Sequence, residues 1–454
     1  MNRDHDIIVA PATAPGGALA VIRTSGEGSL ALCDRIFRGR SPLRDAEGYT
    51  VHYGRIVDGD RTVDDVLVTV FRAPHSYTGE ESAEISCHGS PYIFSELLRL
   101  LIAAGARTAD PGEFTIRAYL AGKLDLSQAE AVADLIASSS QAAHALASNQ
   151  MRGGYSEALE ALRKELLHLT SLLELELDFS EEEVEFADRT QLHDIMTRID
   201  TEIERLRESF SLGNALKEGV AVAIVGAPNA GKSTLLNRLL NEERAMVSEI
   251  AGTTRDVIEE CVNIGGVLFR FLDTAGIRLT DDRLERMGIE RTMQSISRAR
   301  IVVLLSDAAD AAPDGTSSAA VPGLALRPDQ TLLRVVNKLD LRPGLPLPAG
   351  AIGISARSGS GIDTLRRALR DAVDTTGLYH GDVTVSNSRH YEALTAAREA
   401  LHNALQGLQT QLPADLLSEE IRQVIRRLGT ITGRGEILPD EILQNIFSKF
   451  CIGK

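Results

Sequence analysis

Gly226-Ala-Pro-Asn-Ala-Gly-Lys232-Ser233 decides how the middle of this 454-residue chain folds. The segment fills every fixed position of G-x-x-x-x-G-K-[ST]. It follows an apolar run, Val220 to Val225, that reads as a buried strand, and it precedes Thr234-Leu-Leu-Asn-Arg-Leu-Leu240, which reads as a helix. Strand, glycine loop and helix in that order aim loop N–H groups and a lysine ammonium at phosphate oxygens. Asn229, Ala230, Gly231, Lys232, Ser233 and Thr234 are therefore the expected nucleotide-binding residues of this loop.

Three further segments follow in a workable order. Asp273-Thr274-Ala275-Gly276 closes an apolar strand, Val267 to Leu272. A carboxylate there can hold Mg²⁺ through water, and Gly276 lets a backbone N–H approach a γ-phosphate. Asn337-Lys338-Leu-Asp340 ends a strand from Leu332 to Val336. Asp340 can accept both N–H donors of a guanine edge, which adenine lacks, so the expected nucleotide is GTP. Ser355-Ala356-Arg357, after Ala351-Ile-Gly-Ile, supplies a backbone donor for the guanine O6. Many GTPases carry Gln directly after the D-x-x-G glycine to orient the attacking water. Here Ile277 occupies that position. The candidates for the missing role are Asn229, whose oxygen could ligate a monovalent cation, and the carboxylates Asp281, Asp282 and Glu285.

Composition bounds the rest. The net charge of −16 gives no global basic field to attract nucleic acid, so RNA must be met by a local patch or a partner. With no Trp and 4% aromatic residues, material for a base-stacking platform is scarce. Cysteines at 33, 87, 261 and 451 show no C-x-x-C spacing, which points to a reducing cytoplasm. The first residues lack a signal-type apolar region, and no apolar run is long enough to span a bilayer.

The pattern changes twice along the chain. Residues 1–120 mix β-branched runs (6–10, 17–22, 50–56, 66–71, 83–87) with turns and an apolar helix at 93–104, an α+β domain. From 121 the period becomes helical. Leu159, Leu162, Leu166, Leu169, Leu173 and Leu177 form one stripe, and Leu192, Ile195, Ile199, Ile203 and Leu206 another. After the nucleotide-binding segment the device resumes with Tyr391, Leu394, Leu401, Leu405 and Leu408, then Leu416 to Leu428. The expected organisation is 1–120 N-terminal, 121–215 helical, 216–378 GTPase and 379–454 helical, with a Ras-like P-loop domain inserted into a helical domain. Cys87-His88 lie beside several acids, but neighbours on a strand point to opposite faces.

Several segments outside the nucleotide motifs resemble the tRNA modification GTPase MnmE (TrmE) family: Phe450-Cys-Ile-Gly-Lys454, Pro111-Gly-Glu-Phe-Thr-Ile-Arg-Ala118, Gly122-Lys-Leu-Asp-Leu-Ser-Gln-Ala-Glu130, and Gly252-Thr-Thr-Arg-Asp256. The resemblance spans the whole chain. It implies an N-terminal domain that binds tetrahydrofolate and forms a homodimer. It also implies a GTPase domain that pairs across the dimer with K⁺, and a heterotetramer with an FAD-dependent MnmG-type protein. Together these would add an aminomethyl or carboxymethylaminomethyl group at C5 of the wobble uridine of certain tRNAs. The one-carbon unit would come from 5-formyltetrahydrofolate or a related compound.

Position by position, the resemblance makes Ser248, Glu249, Ile250, Ala251, Gly252, Thr253 and Thr254 GTP-binding, with Thr254 joining Ser233 on Mg²⁺. Asn229, Ser248, Ile250 and Thr253 become the K⁺ ligands and Glu285 the catalytic acid. Arg23, Glu80, Lys123 and Lys454 become folate contacts, and Cys451 a participant in the modification chemistry. Departures are few: Ala121 stands for the usual Asn, Glu81 for Asp, and Arg357 for Lys. Two other classes stay open, a stand-alone switch GTPase in ribosome assembly and a regulatory scaffold with no role in modification.

Overall fold

The structure, a computed structural model, describes residues 6–178, 189–243, 259–272, 293–310, 326–373 and 383–433, with residues 375, 443, 446, 447, 450 and 453. Backbone packing divides the chain into two units. Met1–Ala133, Met151–Lys164 and Arg422–Lys454 form one, and Asp134–Gln150 with Glu165–Ile421 form the other.

The first unit opens with β1 (Ile8–Pro11), β2 (Leu19–Ser25), α1 (Ser29–Cys33), β3 (Phe37–Gly39), β4 (Thr50–Asp58), β5 (Arg61–Phe71), β6 (Ser82–His88), α2 (Pro91–Ala103), β7 (Arg107–Thr108) and α3 (Glu113–Leu120). The strands make one sheet in the order β3-β4-β5-β6-β2-β1-β7. Only the β1–β7 pairing is parallel. Strand β5 buries Val66, Val68 and Val70 at the period-two spacing of a half-covered sheet, and α2 covers that face with Phe94, Leu97 and Leu101. The same alternation turns Cys87 inward and His88 outward. This is the expected α+β domain. Helix α4 (Leu126–Ala137) places Leu126 and Ala129 against Leu443, Phe447 and Phe450.

Helices α5 (Gln141–Met151), α6 (Gly154–Asp178) and α7 (Arg189–Glu218) follow. Then come β8 (Val220–Gly226), α8 (Lys232–Glu243), β9 (Glu260–Ile264), β10 (Val267–Phe271), β11 (Ile301–Asp307), β12 (Thr331–Asn337), β13 (Ala351–Gly353) and α9 (Ile362–Asp371). The second sheet runs β13-β12-β11-β8-β10-β9 and is parallel except for the β9–β10 hairpin. Near-continuous apolar strands such as Ile301-Val-Val-Leu-Leu305 suit a sheet covered on both faces. Strand β8 has β10 on one side and β11 on the other, so its carboxyl end lies where the connections diverge, the usual ligand crevice of such sheets.

Helices α10 (Ser388–Gln409) and α11 (Ala414–Thr432) complete the chain's regular structure. Helix α10 packs on α7 through a Phe210–Tyr391 ring stack at 4.7 Å and an Arg398–Asp200 ion pair at 2.9 Å. Since β8 through α9 fall between these two partners in sequence, the P-loop domain is an insertion into helical structure. The hairpin turn is tied to a helix of the same unit. Ala142 N–H at the start of α5 donates to Gly266 O (2.9 Å), and Arg370 Nε donates to Gly265 O (3.1 Å).

Three stripe assignments need correction, the first on α10, where Ala404 is buried and Leu405 only half-buried. On α7 the buried residue between Leu192 and Ile199 is Met196, with Ile195 only half-buried, because a 3.6-residue period favours steps of four and three from Leu192. On α11, Leu416 is 51% exposed and Leu417, Ile421, Val424 and Leu428 face inward. The side chain of Leu177 lies outside the described residues. No helix among the described residues is long and apolar enough to cross a membrane.

Candidate functional site

The phosphate loop joins the end of β8 to the first turn of α8, as the strand–loop–helix reading requires. Asn229 adopts φ 63°, leaving its side chain exposed on the loop, while Ala230 turns inward and is fully buried. Gly231 follows at φ 94°, and a Cβ there would fall 2.3 Å from Asn337 Nδ2. Only glycine fits both the backbone angle and the contact. Lys232 Nζ donates to the Gly226 and Ala227 carbonyls, each at 2.9 Å, which holds the ammonium across the loop mouth. Burial lowers the Lys232 ammonium from its ordinary value. Ser233 and Thr234 continue the first turn of α8, and the N–H groups of a helix start favour anions.

Asn337 ties the nucleotide motifs together. Its buried carboxamide donates from Nδ2 to Ala230 O (2.8 Å) and accepts at Oδ1 from Ala356 N–H (3.0 Å). One side chain thus fixes the phosphate loop against the Ser355-Ala356 loop, which is further closed by Ser355 N–H to Ser360 O at 2.8 Å. Lys338 sits at φ 65° with its ammonium 2.5 Å from Asp307 Oδ2. Asp340 is exposed in the short turn Leu339–Leu341, and Arg357 is exposed with its carbonyl 3.2 Å from Arg238 Nη2. The structure therefore brings Asn229, Ala230, Gly231, Lys232, Ser233, Thr234, Asn337, Lys338, Asp340, Ser355, Ala356 and Arg357 to one end of the second sheet.

A separate cluster lies in the first unit. Arg23 on β2 faces Glu84 on β6 in register and pairs with it at 2.7 Å. The Arg23 guanidinium lies over the rings of Tyr77 (5.6 Å) and Phe114 (5.7 Å), and its Nη1 is buried with no hydrogen-bond partner among the described residues. An orphaned guanidinium nitrogen suits an anionic or carbonyl acceptor from a ligand. Glu80 accepts from Ser25 Oγ (2.7 Å) and from Arg117 Nη1 (3.2 Å to each oxygen). Lys123 Nζ donates to Pro74 O (2.8 Å).

Arg117, 9% exposed, also bonds Asp6 Oδ1 (2.5 Å) and Glu113 (3.1 Å), both of which Arg107 bridges as well. Burial pushes the Glu113 carboxyl up, but Arg107, the Asp110 N–H and Arg117 outweigh it and leave it below its ordinary value. Asp6 shows the same balance: burial raises it, and hydrogen bonds from Arg107 and Arg117 bring it down further.

The helical-domain profile of MnmE matches residues 126–451, and the profile described as the N-terminus of the GTP-binding protein TrmE matches residues 7–123. A "tRNA modification GTPase MnmE" of Bacteroides fragilis is 50% identical across 99% of this chain and 100% of its own length. That of Cytophaga hutchinsonii is 49% identical across 99% of this chain and 98% of its own. The chain belongs to the MnmE family of tRNA modification GTPases. A crystal structure of Aquifex aeolicus Era bound to GDP.AlF4- is 29% identical over 39% of this chain and 65% of that one, with a TM-score of 0.27.

The described residues include those expected on the phosphate side and on the base side of a GTP site. Ser248, Glu249, Ile250, Ala251, Gly252, Thr253, Thr254, Asp273, Thr274, Ala275, Gly276, Glu285, Cys451 and Lys454 lie outside the described residues. Gly453 is described, and its backbone meets Pro11 at the end of β1, next to the Ile22 that precedes Arg23. Gly112 packs on Phe447 and Phe450, so the two MnmE signature segments, Pro111–Ala118 and the C-terminal five residues, meet within the first unit. Sequence reading missed Arg117 as the partner of Glu80. Its only signal was an arginine four residues after Glu113 within the Pro111–Ala118 signature.

Proposed function

We propose that this GTPase hydrolyses GTP to drive wobble-uridine modification of tRNA, adding an aminomethyl-type group at C5 together with an FAD-dependent MnmG-type partner. The reading is supported above all by family membership across the full chain, and by Asn337, which clamps the phosphate loop to the base-side loop as a guanine nucleotide site needs. The working assignment is residues 1–120 for folate binding and homodimerisation, 216–378 for GTP, and 121–215 with 379–454 as one helical domain, in a cytoplasmic protein.

Ser233 and Thr254 would hold Mg²⁺, and Asn229 with oxygens of Ser248, Ile250 and Thr253 would hold K⁺. The exposed, left-handed Asn229 fits such a role, since its side chain is exposed on the loop. A bound monovalent cation supplies positive charge where Ile277 offers no donor. The chain's own residues do the rest: loop N–H groups and Lys232 hold phosphate oxygens, Asn337, Lys338 and Asp340 hold the base, and Glu285 orients water. Arg23, Glu80, Lys123 and Lys454 would take a 5-formyltetrahydrofolate-type donor, the guanidinium and ammonium groups on its carboxylates and Glu80 on its ring N–H groups. Cys451 is the candidate for the transfer chemistry.

The deciding experiment is mass spectrometry of tRNA nucleosides from cells with and without this protein. Loss of the C5-aminomethyl-type uridine is expected, and an unchanged nucleoside profile defeats the reading. Within the GTPase itself, replacing K⁺ by Na⁺ should cost roughly 10³–10⁵-fold in turnover, the scale of an arginine finger. Equal rates in the two salts would remove K⁺ from the scheme. Modified uridine persisting in a Glu285→Ala strain would favour the scaffold alternative.

A further inference from the structure

We propose that Asp307 is a positioning residue for guanine-nucleotide binding, acting through Lys338. The inference rests on the reading of Asn337-Lys338-Leu-Asp340 as the base-recognition segment. Asp307 ends β11 directly beside Asn337 at the end of β12, in the parallel register Asp307↔Asn337. Its side chain is 12% exposed, and both oxygens are engaged. Oδ1 accepts from Ala309 N–H at 2.9 Å, and Oδ2 lies 2.5 Å from Lys338 Nζ.

Three observations make this more than a surface ion pair. First, the carboxylate is held by a backbone N–H of its own turn, so it presents a fixed oxygen instead of a rotating one. Second, Lys338 carries positive φ (65°), an uncommon backbone state for a residue with a Cβ. Third, the turns that bear the two residues are tied a second time, since Arg342 Nη1 donates to Ala308 O at 2.9 Å. A lysine stem is flexible, and anchoring its ammonium fixes the course of its four methylenes. In sequence Lys338 falls between Asn337, which is bound to the phosphate loop, and the exposed Asp340. A flat base can pack on such a stem without first ordering it. Asp307 itself touches no nucleotide in this scheme.

The test is the release rate of a fluorescent N-methylanthraniloyl-GDP from the full chain, measured for Asp307→Asn, Lys338→Met and the double variant, with melting temperatures alongside. Asp307→Asn should speed release about tenfold with little change in melting temperature, and Asp307→Glu should restore part of the loss. The double variant should be no worse than Lys338→Met alone, because the carboxylate acts only through that ammonium. Additive losses in the double variant overturn the proposal. So does a drop in melting temperature with unchanged release, which marks a purely structural carboxylate. If Lys338→Met leaves release unchanged, the base-recognition reading itself fails and takes the proposal with it.

Discussion

The phosphate loop and the Arg23–Glu80–Arg117 cluster are the two proposed ligand sites, yet they are made of different material. The loop works with backbone: N–H groups at a helix start, a glycine at positive φ, and one carboxamide bridging a backbone carbonyl and a backbone N–H. Apart from the Asn337 carboxamide, its parts form one contiguous motif. The N-terminal cluster works with side chains from distant positions. Arg23 meets Glu84, Glu80 meets Arg117, and Arg117 reaches back to Asp6. A backbone device tolerates changes in its surroundings, because its donors cannot rotate away. A side-chain device depends on each partner's charge, and losing one leaves the others buried and uncompensated.

That contrast can be broken by mutation. Arg117→Met leaves Glu80, Glu113 and Asp6 with one fewer cation, and should destabilise the first unit by about 3–5 kcal/mol. Hydrogen exchange of the β1 and α3 amides reads this, and protection equal to wild type would mean that Arg107 alone neutralises the cluster. Next in size, Lys232→Met should slow GTP hydrolysis by about 10²–10³-fold, the scale for removing one charge-stabilising donor. Its melting temperature should stay near wild type, because Lys232 bonds only carbonyls of its own loop among the described residues.

Asn337→Ala strands the Ala356 N–H and the Ala230 carbonyl, and should cost about 1–3 kcal/mol of stability, read by urea denaturation. It should also weaken GDP binding, since both loops lose their common anchor. A stability loss with unchanged GDP affinity would show that the two loops hold their places separately.

The smallest effect concerns acid. Asp6 and Glu113 are depressed from ordinary values of 3.8 and 4.5, so their contribution is complete above the unfolded values and is lost as pH falls through the lower folded ones. Wild-type stability should therefore decline as pH drops from about 5 toward 2, and the decline should be shallower in Arg107→Met. Parallel curves from circular dichroism would place the acid-sensitive pairs elsewhere.

The same contrast explains what could be read beforehand. The strands expected at 220–225, 267–272 and 332–336 appear as β8, β10 and β12, because turn glycines and apolar runs are local signals. The expected runs at 50–56 and 66–71 appear as β4 and β5. The short strands β3 and β7 escaped notice, since Phe37-Arg-Gly39 and Arg107-Thr108 have almost no pattern and exist only because a neighbour pairs with them. The roles of Asn337 as a two-sided anchor and Arg117 as a hub were likewise invisible. Both depend on which atoms the fold brings within 3 Å, and spacing carries no record of that. Among the helices, the stripe on α6 gave its buried face correctly at Leu159, Leu162, Leu166, Leu169 and Leu173. The stripe on α11 slipped by one residue at Leu416, where adjacent leucines leave the phase undetermined.

The β9–β10 turn has a mechanical consequence. Strand β9 starts shortly after Gly252-Thr-Thr-Arg-Asp256, and β10 stops just before Asp273, so the hairpin's open end adjoins in sequence both segments proposed for the nucleotide. Its closed end is gripped: a Cβ at Gly266 would sit 2.8 Å from Gln141 Oε1, and the Ala142 amide already holds the Gly266 carbonyl. A one-residue slip would turn Val262, Ile264, Val267, Phe269 and Phe271 out of the core. The hairpin therefore has a single permitted length. One ladder in one register thus joins the open end to a turn fastened to the start of α5.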